Sequence, residues 1–203
     1  MKKKQWYIIA PVIIALLIFF DQITKYWARR DLADEGFNII KGFFGLKLVS
    51  NKGAAWGIFQ GRIDILSFIS IVVLIFLVLL FIRIPEDKKY HILRILLLCV
   101  MAGALGNLLD RFYQGFVTDF LYFELIDFPV FNVADCYITF AMFLFAFLLI
   151  FKYKDSELEF FSFKKIFGSK DKNDTNDTND TDGEDVDKKE EKPDTKGSDV
   201  EKE

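Results

Sequence analysis

The stretch from Ile65 to Ile82 reads ILSFISIVVLIFLVLLFI and contains no charged side chain over 18 residues. An α-helix needs about 20 mainly apolar residues to cross the ~30 Å hydrocarbon layer of a bilayer. Three further apolar runs extend from Trp6 to Phe20, from Ile95 to Leu109 and from Cys136 to Phe151. Apolar residues gathered into four such blocks indicate a polytopic membrane protein rather than a soluble domain.

Backbone N–H and C=O groups cannot remain unpaired in lipid, so each block is predicted to form a helix. The predicted spans cover about residues 6–27, 63–84, 92–110 and 132–152, and residues 1–154 form the membrane domain. The fold class is therefore an all-α polytopic membrane protein with four transmembrane helices. Lysines precede the first run as in a signal peptide, but no small-residue cleavage site follows, so we interpret it as an uncleaved first span.

Lysine and arginine residues indicate how the chain is oriented in the membrane. The short joint from Arg83 to Arg94 carries four of them in twelve residues, three follow Met1, and Lys152 and Lys154 follow the fourth run. Cytoplasmic segments are enriched in such residues, which predicts that both termini are cytoplasmic. The joint between the first two spans holds six, but they are spread over 35 residues and partly offset by acidic residues.

The joint between the first two spans has a strand-like pattern. From Phe37 to Phe59, apolar and polar residues alternate, and four glycines lie among them. Because this pattern suits short, bent strands, we predict a small extracytoplasmic β-sheet lying on the membrane.

Two further segments follow the fourth span. Residues 155–169 mix phenylalanine with lysine, which is typical of an interfacial segment. Residues 170–203 are predicted to be a disordered acidic tail, because from Asp171 onward 14 acidic residues stand against six lysines, without any aromatic residue. A calcium loop is disfavoured, since Thr175 and Asn176 stand where a ligand and a glycine are needed. The rest of the chain is basic, as is usual beside anionic lipid, and predicts no nucleic-acid partner.

Polar side chains in three of the predicted spans share one depth. Counting twenty residues per span at 1.5 Å per residue places Asp21, Asn107 and Asp135 about 7, 6 and 5 Å inside the hydrocarbon edge. Ionisable groups in lipid cost roughly 2.5–3.5 kcal/mol each on insertion scales, so the common depth predicts a shared, partly hydrated site between helices. Gly103 and Gly106 would let the third helix approach its neighbours closely there.

Each of these polar groups also has a purely structural interpretation. An acid and a lysine four residues apart can pair at the interface, an arginine can tie down a neighbouring acid, and an asparagine can cap a helix whose first turn holds an acid. The pairs concerned are Asp21 with Lys25, Asp110 with Arg111, and Asn132 with Asp135. None of these interpretations explains why the depths agree.

The residue types at this depth restrict the chemistry. The only histidine, His91, lies in the basic joint on the other side, which argues against a Ser-His or Cys-His nucleophile and a histidine-rich zinc site. The serines lack an obvious neutral lysine at the same depth, and we interpret Cys99 and Cys136 as small buried hydrophobic residues. Carboxylates remain. Two of them can share a proton, so that one activates a water while the other hydrogen-bonds the scissile carbonyl.

Five segments resemble, in order, the signatures of lipoprotein signal peptidase, also called signal peptidase II. They are Asp21 to Lys25 (DQITK), Asn51 to Gly57 (NKGAAWG), Ala102 to Arg111 (AGALGNLLDR), Val117 to Phe120 (VTDF) and Phe131 to Asp135 (FNVAD). The resemblance covers about residues 1–154 and leaves out the acidic tail. Five matches in order are far more specific than any one of them.

The resemblance implies an intramembrane aspartyl endopeptidase that removes the signal peptide from diacylglyceryl-modified prolipoproteins by cleaving before the lipidated cysteine. Asp119 and Asp135 match the catalytic pair, which acts with an activated water. The other implied site residues bind or orient the pair or the substrate: Asp21, Lys25, Asn51, Gly53, Asn107, Asp110, Arg111 and Asn132. The family commonly has serine after the last catalytic aspartate, where this chain has Cys136.

The same resemblance implies the bacterial cytoplasmic membrane as location, with the active site near the extracytoplasmic face. It implies prolipoproteins and membrane lipids as partners, no metal or cofactor, and a monomer.

Two other functions stay open from the residues alone. Intramembrane acids also occur in transporters and proton-relay proteins, but these need polar residues through the whole membrane, and the second span has only Ser67 and Ser70 between its ends. A subunit that only binds lipidated proteins would keep its binding without Asp135.

Overall fold

The computed structural model describes residues 3–32, 36–53, 58–154, 157, 158 and 160. It contains four α-helices that are long and apolar enough to cross a membrane, as predicted. These are α1 (Lys3–Asp31), α2 (Ile63–Arg83), α3 (His91–Gln114) and α4 (Val133–Phe151). The predicted acidic tail and most of the predicted interfacial segment lie outside the described residues.

Two helices are longer than the sequence predicts. α1 continues past residue 27 to Asp31, and α3 continues past residue 110 to Gln114, where Gly115 ends it with a left-handed φ of 72°. At 1.5 Å per residue the 29 residues of α1 span about 44 Å, which exceeds the ~30 Å hydrocarbon layer. Apolar runs mark only the part of a helix that lies in lipid, because helical hydrogen bonding does not stop at the hydrocarbon edge.

α3 is the central helix and packs against α1, α2 and α4. Most of its side chains are buried, whereas the other three helices expose large apolar side chains such as Ile8, Phe68 and Phe143. Small residues bring α3 close to its neighbours, as is common between membrane helices. A Cβ atom at Gly103 would lie 2.5 Å from the Ala134 carbonyl oxygen of α4.

Arg94 joins α3 to the end of α2. Its side chain is 1% exposed. It donates hydrogen bonds to the carbonyl oxygens of Ile84 at 2.6 Å and Phe81 at 3.4 Å. The last carbonyls of a helix lack partners within it, so this buried cation satisfies the C-terminus of α2. The ring of Trp6 packs against the same guanidinium and thereby adds α1 to the cluster.

The structure contains a three-stranded antiparallel sheet in the order β1-β2-β3. The strands are β1 (Phe37–Ile40), β2 (Phe44–Asn51) and β3 (Val117–Tyr122). The strand-like pattern between Phe37 and Phe59 therefore predicts β1 and β2 correctly, although β2 already ends at Asn51. β3 was not predicted, because it is a short segment after α3 whose pairing partner lies about 70 residues earlier in the chain.

Gly103 gives a test of the close contact between α3 and α4. Gly103→Ala would place a methyl group against the backbone of α4. Overpacking of this kind lowers the free energy of unfolding by ~1–3 kcal/mol, so we expect a lower midpoint of thermal unfolding for the purified protein in detergent. Ala146→Val adds carbon atoms at an exposed position of α4 and serves as the control, with an unchanged midpoint. An unchanged midpoint for Gly103→Ala would contradict the contact.

Candidate active site

Asp119 and Asp135 are brought together by one side chain, that of Asn132. Asp119 lies in β3 and Asp135 in the first turn of α4. The Asn132 amide Nδ2 donates to Asp119 Oδ1 at 2.6 Å, and Asn132 Oδ1 accepts from the backbone N–H of Asp135 at 3.0 Å. Asp135 Oδ2 in turn accepts from the backbone N–H of Asn132 at 3.1 Å, which completes a capping box. Asn132 is thus the helix cap proposed as a structural interpretation and also a link between the two acids.

The remaining oxygens of the pair also accept hydrogen bonds from neutral amides. Asn51 Nδ2 donates to Asp119 Oδ2 at 2.8 Å, and Asn107 Nδ2 donates to Asp135 Oδ1 at 2.8 Å. Gly53 fixes the amide of Asn51, because its backbone N–H donates to Asn51 Oδ1 at 2.9 Å and so turns the Asn51 NH₂ group towards Asp119. All four carboxylate oxygens of the pair therefore have a donor.

Asp119 is only 2% exposed. Burial raises the pKa of this carboxyl group to about 7, and the charge of Asp135 adds to the increase, while the hydrogen bonds from Asn51 and Asn132 oppose it. Asp119 can therefore hold a proton near neutral pH, which an ordinary aspartate does not.

A second buried cluster lies behind the pair and consists of Asp21, Lys25 and Asp110. Lys25 Nζ lies 2.9 Å from Asp21 Oδ2 and 3.1 Å from Asp110 Oδ2, with all three side chains at most 1% exposed. It also donates to Asn107 Oδ1 at 2.9 Å. The Asp21–Lys25 pair exists, but it is buried in the site instead of marking the interface.

Two charged residues lie differently from what the depth count and the structural alternatives suggest. The depth count did not place Lys25, which the family resemblance names as a site residue; it lies one helical turn beyond Asp21, and its long side chain reaches Asn107. Arg111 was a candidate partner for Asp110, but Asp110 pairs with Lys25, and Arg111 donates to the Asn107 carbonyl oxygen at 3.5 Å.

A cavity of about 970 Å³ opens in front of the pair. Six of the predicted site residues line it: Asn51, Gly53, Asn107, Arg111, Asp119 and Asp135. Its other walls are largely apolar and include Phe123 and Phe128 after β3, and Phe140 and Phe143 of α4. The arrangement places two carboxyl groups on the wall of a cavity large enough for an extended peptide segment and part of an apolar group.

Cys136 departs from the expectation of a buried hydrophobic residue. It is exposed and lines the cavity, because it follows Asp135 on the α4 face that turns towards the site. Among the residues that the structure describes, no group of three or more His, Cys, Asp or Glu side chains is placed to hold a metal ion.

Three further residues belong to the polar network and were missed in the sequence. Gln22 Nε2 donates to Asp110 Oδ1 at 3.0 Å and to the Gly106 carbonyl oxygen at 3.2 Å. Thr118 donates its backbone N–H to Asp110 Oδ2 at 3.1 Å, and its hydroxyl accepts from Arg29 at 2.8 Å. Gln22 and Thr118 lie beside predicted site residues, so the depth counted along the first span could have suggested Gln22, whereas Arg29 gave no signal.

Comparisons with known proteins show which family the chain belongs to. The model of a family described as signal peptidase (SPase) II matches residues 13–151. A lipoprotein signal peptidase of Caldanaerobacter subterraneus subsp. tengcongensis is 41% identical over 145 residues, which are 70% of this chain and 97% of the relative. One of Staphylococcus haemolyticus is 35% identical over 159 residues, which are 76% of this chain and 97% of the relative.

Two solved structures described as bacterial membrane enzymes are also similar. One superposes with a TM-score of 0.63 at 33% identity and covers 70% of this chain and 87% of its own. The other has a TM-score of 0.61 at 34% identity and covers 71% and 94%. The chain therefore belongs to the signal peptidase II family, and its four apolar helices make it a multi-pass membrane peptidase.

Proposed function

We propose that this protein is an aspartyl endopeptidase that removes the signal peptide from diacylglyceryl-modified prolipoproteins by cleaving before the lipidated cysteine. The observation that carries the proposal is the pair of Asp119, which is buried, and Asp135, which is half-buried, on the wall of a large cavity, where each carboxylate oxygen accepts a hydrogen bond from a neutral amide. Membership of a peptidase family disfavours a transporter or a subunit that only binds lipidated proteins.

In the proposed mechanism the two aspartates divide the acid and base roles. The pair shares one proton, and in the step proposed here Asp119 carries it, which its raised pKa supports, while Asp135 at the N-terminus of α4 acts as the base. Asp135 takes a proton from the water whose oxygen attacks the scissile carbonyl carbon, and Asp119 gives its proton to the carbonyl oxygen. Asp135 then protonates the leaving amine as the C–N bond breaks, and Asp119 recovers a proton from the diol.

The orientation and location belong to the same proposal. The pair lies at the end of the bundle where α1 and α3 finish and α2 and α4 begin, together with the sheet. The opposite end carries the basic residues Arg83, Lys88, Lys89, Lys152 and Lys154, which supports cytoplasmic termini and a site near the extracytoplasmic face of the bacterial cytoplasmic membrane.

The lipidated substrate fits a site at this level. Its acyl chains hold the modified cysteine at the membrane surface, which would present the adjacent peptide bond at the shallow depth of Asp135. The apolar walls formed by Phe140 and Phe143 support an apolar ligand. We further propose that the protein acts as a monomer, without a metal or cofactor.

Loss of either aspartate tests the pair directly. Asp119→Asn and Asp135→Asn each remove one proton-transferring group, so we expect kcat to fall by about 10²–10⁴-fold or more. The measurement is signal-peptide release from a lipidated prolipoprotein peptide by the purified enzyme in lipid or detergent. Asp64→Asn makes the same change at an exposed acid of α2, whose side chain is 73% exposed, and should cleave at the wild-type rate. Wild-type cleavage by both site variants would exclude the dyad.

The pH dependence tests the role of Asp119. Because this group has to be protonated and its pKa is about 7, kcat/KM should fall as the pH rises through about 7. The hydrogen bond from Asn51 stabilises the charged form, so Asn51→Ala raises the pKa of Asp119 and moves the falling limb to higher pH. We expect a shift of about one pH unit, since a hydrogen bond to a charged group contributes ~1.5 kcal/mol.

Asp64→Asn again provides the control and should reproduce the wild-type profile. If the falling limb of the kcat/KM profile stays at the same pH in Asn51→Ala, or moves to lower pH, the assignment of the proton to Asp119 is wrong.

A further inference from the structure

The residues that directly precede the two catalytic aspartates are held in the same way. The backbone N–H of Thr118 donates to Asp110 Oδ2 at 3.1 Å, and the backbone N–H of Ala134 donates to Asp21 Oδ1 at 2.9 Å. The strand β3 is therefore attached to Asp110 and the helix α4 to Asp21. In each case the attachment is the backbone N–H of the residue directly before the catalytic aspartate.

One ammonium group joins these two non-catalytic aspartates. Lys25 Nζ contacts Asp21 Oδ2 at 2.9 Å, Asp110 Oδ2 at 3.1 Å and Asn107 Oδ1 at 2.9 Å. A protonated lysine has three N–H donors, so these three acceptors use all of them. Lys25 is 0% exposed, and no donor is left over for water.

The space around this ion triad, formed by Asp21, Lys25 and Asp110, is closed. A Cβ atom at Gly106 would lie 2.6 Å from Asp21 Oδ2, so the backbone of α3 at Gly106 packs directly against the Asp21 carboxylate. Gln22 Nε2 spans the two acids, at 3.2 Å from Asp21 Oδ2 and 3.0 Å from Asp110 Oδ1. The distance between the two outer carboxylates is thus fixed by contacts on several sides.

We propose that the ion triad sets the separation between the two backbone segments that carry the catalytic aspartates. Asp21, Lys25 and Asp110 are then positioning residues that act through the N–H groups of Ala134 and Thr118. This inference rests on the proposed function, because it assigns the triad a purpose only if Asp119 and Asp135 share the reaction. Two carboxyl groups that serve one water must lie at a defined distance, and a displacement of about 1 Å can cost about 10²-fold in rate.

The two aspartates of the triad differ in how their oxygens are used, and this difference provides the test. In Asp110 one oxygen, Oδ2, accepts from both Lys25 and Thr118, while Oδ1 accepts from the side-chain amides of Gln22 and Gln114, so an amide nitrogen in place of Oδ1 costs hydrogen bonds to these two residues alone. Asp110→Asn therefore keeps the link between Lys25 and Thr118. In Asp21 the two oxygens face different donors, Lys25 and Ala134, so Asp21→Asn has to give up one of them.

We therefore expect unequal effects from the same substitution. Asp110→Asn should lose about tenfold in kcat because the hydrogen bond from Gln22 is lost, whereas Asp21→Asn should lose about a hundredfold because the chain segment of Ala134 or the ion pair with Lys25 is released. KM should stay within about twofold in both variants because the cavity is unchanged. If the triad only supplied charge, the two variants would lose similar amounts of kcat, since each removes one buried negative charge, and if it only held the fold together, both would keep the wild-type kcat per folded enzyme. Rates are measured on lipidated prolipoprotein peptide and normalised to folded enzyme from size-exclusion chromatography.

A second variant covers the acceptor itself. Asp110→Ala removes the oxygen that binds Thr118 and should lose about a hundredfold in kcat, about ten times more than Asp110→Asn. If Asp110→Ala does not fold, the comparison of Asp21→Asn with Asp110→Asn decides alone. Equal losses in the two asparagine variants, or equal losses in Asp110→Asn and Asp110→Ala, would overturn the inference. The proposed function fails separately, if wild type and Asp64→Asn do not cleave the peptide.

Discussion

Every carboxylate oxygen at the site has a hydrogen-bond donor, and the arrangement of the chain around the site follows from this requirement. The four acids Asp21, Asp110, Asp119 and Asp135 together have eight such oxygens, and each of them accepts at least one hydrogen bond. A charge moved from water into a medium of low dielectric loses several kcal/mol of solvation unless the protein replaces it. At a membrane site where water is scarce, the donors have to come from the chain.

The donors come from segments that are far apart in sequence. α1 supplies Lys25 and Gln22, α3 supplies Asn107, and Asn132 is the residue directly before α4. The sheet also supplies a donor. Val49 of β2 pairs with Asp119 of β3, and Asn51, two residues further along β2 and on the same face, donates to the Asp119 carboxylate. The small sheet is therefore part of the polar network as well as a cover for the site.

The sequence predicts most of the helices and the membership of the site, for physical reasons. Apolar runs report directly on lipid contact, and a fixed rise per residue converts position into depth, which is why Asp21, Asn107 and Asp135 could be grouped. Pairing between β2 and β3 depends on contacts across about 70 residues, so no local pattern reveals it. Depth alone also ignores side-chain length, which is why the depth count did not include Lys25, one turn further out, and only the family resemblance named it.

The kind of donor matters as much as the number. The four donors that touch Asp119 and Asp135 are three side-chain amides and one backbone N–H, all of them neutral. A cation in direct contact would hold a carboxyl group in its charged form and prevent it from carrying a proton. The ammonium of Lys25 instead reaches the pair only through Asn107, while it makes its ion pairs with the two acids behind. Neutral amides thus orient the carboxyl groups of Asp119 and Asp135 without fixing their charge, and in the proposed mechanism this leaves a shared proton free to move between them, while the charged triad behind supplies the positioning that we propose for it.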